Sequence, residues 1–265
     1  MRRHPLQKTW ILLVLAFLYV PILILAFYSF TDSSIIGSVR GFSFKNYKTL
    51  FTEDALRSMM TGTILLALGV SALSTALGTM GAIGAFYSKK GIRNAIELAN
   101  EVPVANADVV TGFSVCILLI VVFKVDKATF VPLVIGQTVL CTPFVYLSVL
   151  PRLKGMDNAL YEAALDLGCK PGQALWKVVI PQIMPGIISG FMTAITLSLD
   201  DYFITTYTKP ATFDTISTYV VNATRGAQTS IKTALWALST IIFLIVVAAV
   251  VFMNVKAGGA KNEKR

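Results

Sequence analysis

The chain has 265 residues, of which 55% are hydrophobic and 14% charged, with a mean hydropathy of +0.71 and a formal net charge of +9. Soluble domains carry about 25% charged residues, so this composition excludes an ordinary soluble globule and places the chain among polytopic membrane proteins. The Lys and Arg excess lies between apolar runs, as membrane topology requires, and no nucleic-acid partner is expected from it.

A backbone in lipid must satisfy its own hydrogen bonds, so an all-α fold follows for the apolar runs. In chain order they predict six transmembrane helices, at Trp10–Phe30, Thr61–Ser88, Ile96–Phe123, Phe130–Leu150, Pro185–Tyr207 and Thr233–Asn254. The first run follows Arg2, Arg3 and Lys8, is longer than a signal-peptide core and is not followed by a small-residue cleavage site. It therefore reads as a retained span. Residues 1–60 form a first segment, the opening helix plus an outer amphipathic loop carrying Phe42, Phe44, Tyr47, Leu50 and Phe51. Residues 61–254 form the core of five further helices, with the loop 151–181 inside it, and 255–265 form a tail. Lys and Arg are in excess on the side holding both termini and the 151–181 loop, which makes that side cytosolic and the chain a multi-pass protein surrounded by membrane lipid.

Gly78, Gly81 and Gly84 recur every third residue in the second span, a spacing that lets helices approach closely. No G-x-x-x-x-G-K-[ST] phosphate loop occurs, and the three cysteines and single histidine form no metal or nucleophile pattern. Neither an enzyme nor a metal protein is expected.

The 151–181 loop is too long and too patterned for a mere connector. Asp157 or Asn158 can cap a helix on which Leu160, Ala163, Ala164 and Leu167 form one apolar stripe and Glu162 and Asp166 another face. Gly168 suits a left-handed helix end. Pro171 opens a second short helix carrying Leu175, Trp176 and Val179, before Pro181. From the residues alone two readings stand open: the helix pair is held by a cytosolic partner, or it packs on its own bundle.

Glu162-Ala163-Ala164-x3-Gly168-x9-Val178-x-Ile180-Pro181 resembles the EAA motif of ABC-importer permeases, with one aliphatic residue exchanged for another at Val178 and at Ile180. Gly41-Phe42-x4-Tyr47, Pro143-Phe144-Val145, Arg152–Asp157 and Leu197–Asp201 resemble the permeases of spermidine/putrescine importers. The resemblance implies a type I, MetI-like permease of the bacterial cytoplasmic membrane, with a cytosolic coupling helix between spans four and five. It implies that Glu162, Ala163, Ala164 and Gly168 contact an ATPase, with Asp166 and Pro181 in the same coupling segment. The implied partners are a second permease subunit, an ABC ATPase dimer that binds ATP and Mg itself, and an external substrate-binding protein. This chain would then hold no cofactor of its own. Transport would proceed by alternating access. An importer for another solute, such as a metal chelate or oxyanion, is the alternative; a stand-alone secondary transporter leaves the loop unexplained.

Asp108, Asp200 and Asp201 lie in apolar runs, where an ionised side chain costs about 2.5–3.5 kcal/mol and so faces a cavity or a partner. Neighbouring Asp200 and Asp201 point about 100° apart on a helix, so one can face a pathway while the other meets a partner subunit or caps a helix end. Together with Asp108, and with Tyr202 and Phe203 as cation–π neighbours, they read as an anionic lining for a multiply cationic solute. The other reading is pairing with Lys or Arg of a second permease. Glu97 and Glu101 share roughly one face with Asp108 on a helix expected to bend at Pro103. The resembled permeases are more apolar there, so Glu97, Asn100 and Glu101 are a departure from them.

Overall fold

The computed structural model describes residues 5–31, 41–225, 236–241, 243–244 and 247. The expected sixth span, Thr233–Asn254, lies largely outside the described residues, and the tail 255–265 lies wholly outside them. The chain divides into two compact units, 1–58 with 220–265, and 59–219. Among the described residues the secondary structure is helical, apart from one isolated bridge between Thr31 and Phe42.

In the first unit, α1 spans Pro5–Ser29 and α2 spans Lys45–Thr52. The segment after α1 is tied back to the helix end by one buried amide. Asn46 Nδ2 donates to the carbonyls of Ser29 and Thr31, each at 3.0 Å, which consumes acceptors that the helix leaves free at its C-terminus. Phe30 stacks on Phe42 at 5.6 Å between ring centroids, and Phe44 and Tyr47 pack around the pair. The aromatic residues of the amphipathic loop thus form a cap over the end of α1.

The second unit is built on α6, Val131–Lys154. Long helix α3, Asp54–Tyr87, enters this unit at Met59 and lies along α6. Helix α9, Ile180–Asp200, runs antiparallel to α6: Gly186 meets Ser148 and Arg152, Gly190 meets Val145, and Cys141 Sγ donates to the Ala194 carbonyl. The core is Val70, Ala82 and Ala85 of α3, Cys141, Val145, Val149 and Leu153 of α6, and Val179, Ile183 and Ala194 around α9. Glycines make this packing possible. A Cβ on Gly78 would lie 2.8 Å from Val145 Cβ and 2.9 Å from the Thr142 carbonyl oxygen. The close approach expected of the glycine repeat is therefore made by Gly78 against the fourth span, whereas Gly84 faces open space.

Four described helical stretches, Thr9–Ser29, Leu56–Tyr87, Val131–Lys154 and Pro171–Asp200, are long and apolar enough to cross a membrane. The third expected span is not one Pro103-bent helix. It consists of α4, Lys90–Ala105, and α5, Asp108–Ile117, continued by a π-helical turn Leu118–Val122, and the two parts meet at 110°. Pro103 is accommodated inside α4; the chain breaks where Asn106 and Ala107 turn extended (ψ 149° and 137°). Asn106 Nδ2 donates across the break to Thr111 Oγ1 at 3.2 Å.

The fifth span also differs from expectation at both ends. It is continuous with the loop: α8, Pro171–Ala174, passes through a π-helical stretch Leu175–Val179 directly into α9. Pro181 lacks an amide donor and would crowd the carbonyl four residues back in a regular helix. The wider turn, in which the Ile180 amide bonds the Leu175 carbonyl, shifts the pairing just before Pro181, so the helix continues. At the other end, α9 stops at Asp200 and a short α10, Phe203–Thr208, follows. Helix α11, Ile216–Arg225, starts where the Ile216 amide donates to Thr63 Oγ1 and Ser217 Oγ donates to the Leu199 carbonyl at the end of α9.

Overpacking a filled helix contact costs about 1–3 kcal/mol. Gly78→Val is expected to lower the thermal midpoint of the detergent-solubilised protein, while Gly84→Val, which adds its side chain to open space, leaves it unchanged; a fluorescence melting curve of the two variants compares them.

Candidate functional site

Two helix breaks lie side by side in the second unit. Helices α5 and α10 pack in parallel: a Cβ on Gly112 would lie 2.9 Å from Ile204 Cα, and one turn on, Cys116 Sγ donates to the Tyr207 carbonyl at 3.2 Å while Phe113 meets the Tyr207 ring at 5.7 Å. Asp108 stands one turn before Gly112 as the first residue of α5, and Asp200 and Asp201 precede α10. The parallel register therefore brings all three acids to the same end of the α5–α10 pair. Gly136 of α6 meets Ile204 and Thr208, which sets this end beside the first turns of α6, within the apolar layer that α6 crosses.

The two neighbouring aspartates are used differently. Asp201 is 8% exposed, and its carboxylate accepts from the backbone amides of Ile204 at 3.1 Å and Thr205 at 2.8 Å and from Thr205 Oγ1 at 2.6 Å. It caps α10, supplying acceptors for amides that a helix start leaves free. Thr205 Oγ1 in turn accepts from Gln137 Nε2 at 2.8 Å, and Gln137 Oε1 accepts from Ser198 Oγ at 2.7 Å. One chain of hydrogen bonds thus links α6, α9 and α10. Asp200 lies at the end of α9 and is exposed, as is Asp108 at the start of α5. Tyr202 is half-buried and packs edge-on against Phe203 at 5.2 Å.

The open carboxylates stand beside helix ends of both senses. The C-terminal ends of α4 and α9 carry the negative end of the helix dipole, although the Leu199 carbonyl is taken by Ser217 Oγ, and Asp108 complements the positive end of α5. Interrupted helices whose ends and acids converge within an apolar layer form the kind of place where a membrane protein holds an ion or a polar solute. Among the described residues no three His, Cys, Asp or Glu side chains converge as metal ligands.

Within the loop 151–181 lies α7, Asn158–Asp166, capped by Asp157 Oδ1 accepting from the Ala159 amide at 3.0 Å. Gly168 ends it at φ +88°, a conformation that only glycine adopts without strain. Of the two open readings of this helix, packing on its own bundle holds for one face. Ala164 is buried, and Tyr161 packs on Tyr87 of α3 at 5.4 Å, so one face rests on the chain's own core. Leu160, Ala163 and Leu167 face outward, with Leu167 86% exposed, together with Glu162 and Asp166. The expected four-residue stripe is split because Ala164 turns inward. Trp176, 70% exposed, adds to the outward apolar surface, while Pro181 sits in the first turn of α9.

The Gln137–Ser198–Thr205 relay was not among the residues singled out in the sequence. Its only signal is Gln137, the one side-chain amide in the fourth span. Asp201→Ala leaves two amides and a hydroxyl without their acceptor and is expected to destabilise the protein by about 1–3 kcal/mol or more, whereas Asp200→Ala is expected to stay within about 0.5 kcal/mol of the parent; thermal unfolding of both in detergent separates the structural acid from the exposed one.

Residues 78–256 match the model of the family described as the binding-protein-dependent transport system inner membrane component. The chain is 28% identical over 251 residues to the spermidine/putrescine transport system permease protein PotC of Haemophilus influenzae, covering 95% of this chain and 96% of that one. It is 30% identical over 233 residues to the putrescine transport system permease protein PotI of Escherichia coli, covering 84% and 81%. Among solved structures it resembles a chain of a bacterial ABC transporter involved in the import of the acidic polysaccharide alginate, with TM-score 0.68, 20% identity and coverage of 95% and 94%. It also resembles a chain of the MetNI methionine ABC transporter, with TM-score 0.55, 15% identity and coverage of 74% and 95%. The fold is that of type I importer permeases, and the chain belongs to the family of binding-protein-dependent transport system inner membrane components, as a multi-pass transporter component rather than an enzyme.

Proposed function

We propose that the chain is a permease subunit of a polyamine importer of the cytoplasmic membrane, working with a second permease, an ABC ATPase dimer and an external binding protein. The observation that carries this reading is the placement of two exposed acids, Asp108 and Asp200, at adjoining helix breaks in the apolar layer. Relatives whose names specify spermidine and putrescine support the solute class. A polyamine carries several ammonium groups on a flexible apolar stem. Its charges match carboxylates and helix carbonyl ends, and Tyr202 and Phe203 supply ring faces for cation–π contact. An oxyanion would meet like charge at the same place.

In this reading Asp201 is a positioning residue. It fixes α10, and with it the level at which Asp200 is presented. Both termini and the loop 151–181 face the cytosol. The outward side of α7, with Glu162, Ala163, Asp166 and Leu167, is held by the ATPase, while Ala164 and Tyr161 fasten that helix to the core. ATP and Mg belong to the ATPase. Its closure moves α7, the two permease bundles rock to open outward, the binding protein delivers the solute, and hydrolysis resets the cycle.

Uptake of labelled spermidine and putrescine by cells with and without this chain tests the solute class, with an oxyanion and a metal chelate as competitors. Loss of polyamine uptake in its absence is expected; uptake of neither polyamine, with one of the competitors transported instead, overturns it. Removing one charged contact weakens binding by roughly 1.5–3 kcal/mol, or about tenfold and more, so Asp108→Asn and Asp200→Asn are each expected to lower polyamine uptake about tenfold while the protein still reaches the membrane. At the coupling helix, Gly168→Val forces a branched side chain into a left-handed residue, and Glu162→Ala removes an outward charge. Both are expected to reduce solute moved per ATP hydrolysed, read as uptake and phosphate release in the same vesicles.

A further inference from the structure

Helix α4 turns several of its polar residues toward the protein. Arg93, Glu97 and Asn100, spaced by four and three, are partly buried against α6, whereas Ile92, Leu98 and Val102 on the other side are 58%, 63% and 59% exposed. The polar face makes a short series of contacts. Glu97 Oε1 accepts from Arg93 Nε at 3.4 Å and lies 3.9 Å from Lys154 Nζ. Asn100 Nδ2 reaches the Pro143 carbonyl at 3.5 Å. The phenol of Tyr146, a residue 3% exposed, has no hydrogen-bond partner among the described residues, and Arg93, Glu97 and Glu101 are near enough to act on it electrostatically.

Lys154 is the last residue of α6 and stands three residues before Asp157, the cap of α7. Glu97 thus bonds α4 to the root of the coupling segment. From Glu97 the helix continues past Asn100 and Pro103 to Ala105, where the extended pair Asn106–Ala107 forms the joint with α5 and Asp108. The nine residues from Glu97 to Ala105 are about 12 Å of continuous helix, so a displacement at Glu97 is carried toward the break. The half-exposed ion pairs contribute little to folding stability. A contact that is weak, polar and placed between a moving segment and a helix break is suited to being remade during a cycle.

We propose that Glu97 is a positioning residue for transport: through Lys154 it transmits movement of the α7 segment to the Asn106–Ala107 break and so to Asp108. The proposal rests on the reading of α7 as the ATPase-driven segment. It assigns Glu97 a role separate from solute binding.

The test uses inverted membrane vesicles from cells producing the whole transporter, with Ala107→Cys introduced into a chain whose Cys116, Cys141 and Cys169 are replaced by alanine. Maleimide labelling of position 107 is timed with and without ATP plus vanadate. ATP is expected to change the labelling rate on the order of fivefold, the lower range of coupling between sites, when Glu97 and Lys154 are intact. Glu97→Gln and Glu97→Lys are expected to abolish that response while ATP hydrolysis continues, and the charge exchange Glu97→Lys with Lys154→Glu to restore it. An ATP response that persists in Glu97→Gln, or one that the exchange does not restore, overturns the proposal. No ATP response with Glu97 and Lys154 intact overturns the motor-driven reading beneath it, a result distinguished by polyamine uptake measured in the same cells.

Discussion

A helix broken inside an apolar layer exposes backbone amides that water cannot reach, and the capping of one such break by Asp201 is the interaction on which the site depends. Its carboxylate takes two amides and a hydroxyl of α10, and the amide of Gln137 fastens that hydroxyl to α6 and, through Ser198, to α9. An unpaired amide in such surroundings costs several kcal/mol, so the break can persist only while this relay is complete. The price of interrupting the helix is met by one buried acid, which leaves its neighbour Asp200 exposed.

The second break is held differently. Asn106 and Ala107 are extended, Asn106 reaches across to Thr111, and Asp108 occupies the positive end of α5 without being buried. Close glycine contacts then fix the two breaks together: Gly112 and Gly136 both admit Ile204 of α10. The acids, the carbonyl ends and the ring of Tyr202 are thus placed by backbone packing, and the outward side of α7 is placed by the same core through Tyr161 and Ala164. Glu97 on the inner face of α4 lies between these two regions, which is why a single carboxylate can serve as a link between them.

Apolar run length and the need for internal backbone pairing are local properties, so the helical character and most of the membrane-crossing stretches were legible in the sequence. So was the Asp157 cap, and so was the left-handed Gly168, because both depend on residue type at one position. The breaks were not legible. Pro103 and Pro181 carry the strongest helix-breaking signals, yet α4 absorbs the first and a π-helical stretch absorbs the second. The chain instead breaks at Asn106–Ala107, where Asn106 reaches Thr111, and at Asp201, which caps α10 and is tied through Thr205 to Gln137 of α6.

The sequence by itself determined that this is a helical membrane protein with a patterned loop between two spans, acids in its apolar runs and no phosphate loop, because composition, period and motif spacing are written along one dimension. Which aspartate is structural and which is open was decided only by tertiary structure. Asp200 and Asp201 are chemically identical neighbours. They differ because Asp201 accepts from two amides and a hydroxyl of α10, a hydroxyl that Gln137 of α6 fastens in place, and among the described residues no such set reaches Asp200; the relay is complete only once α6, α9 and α10 are packed.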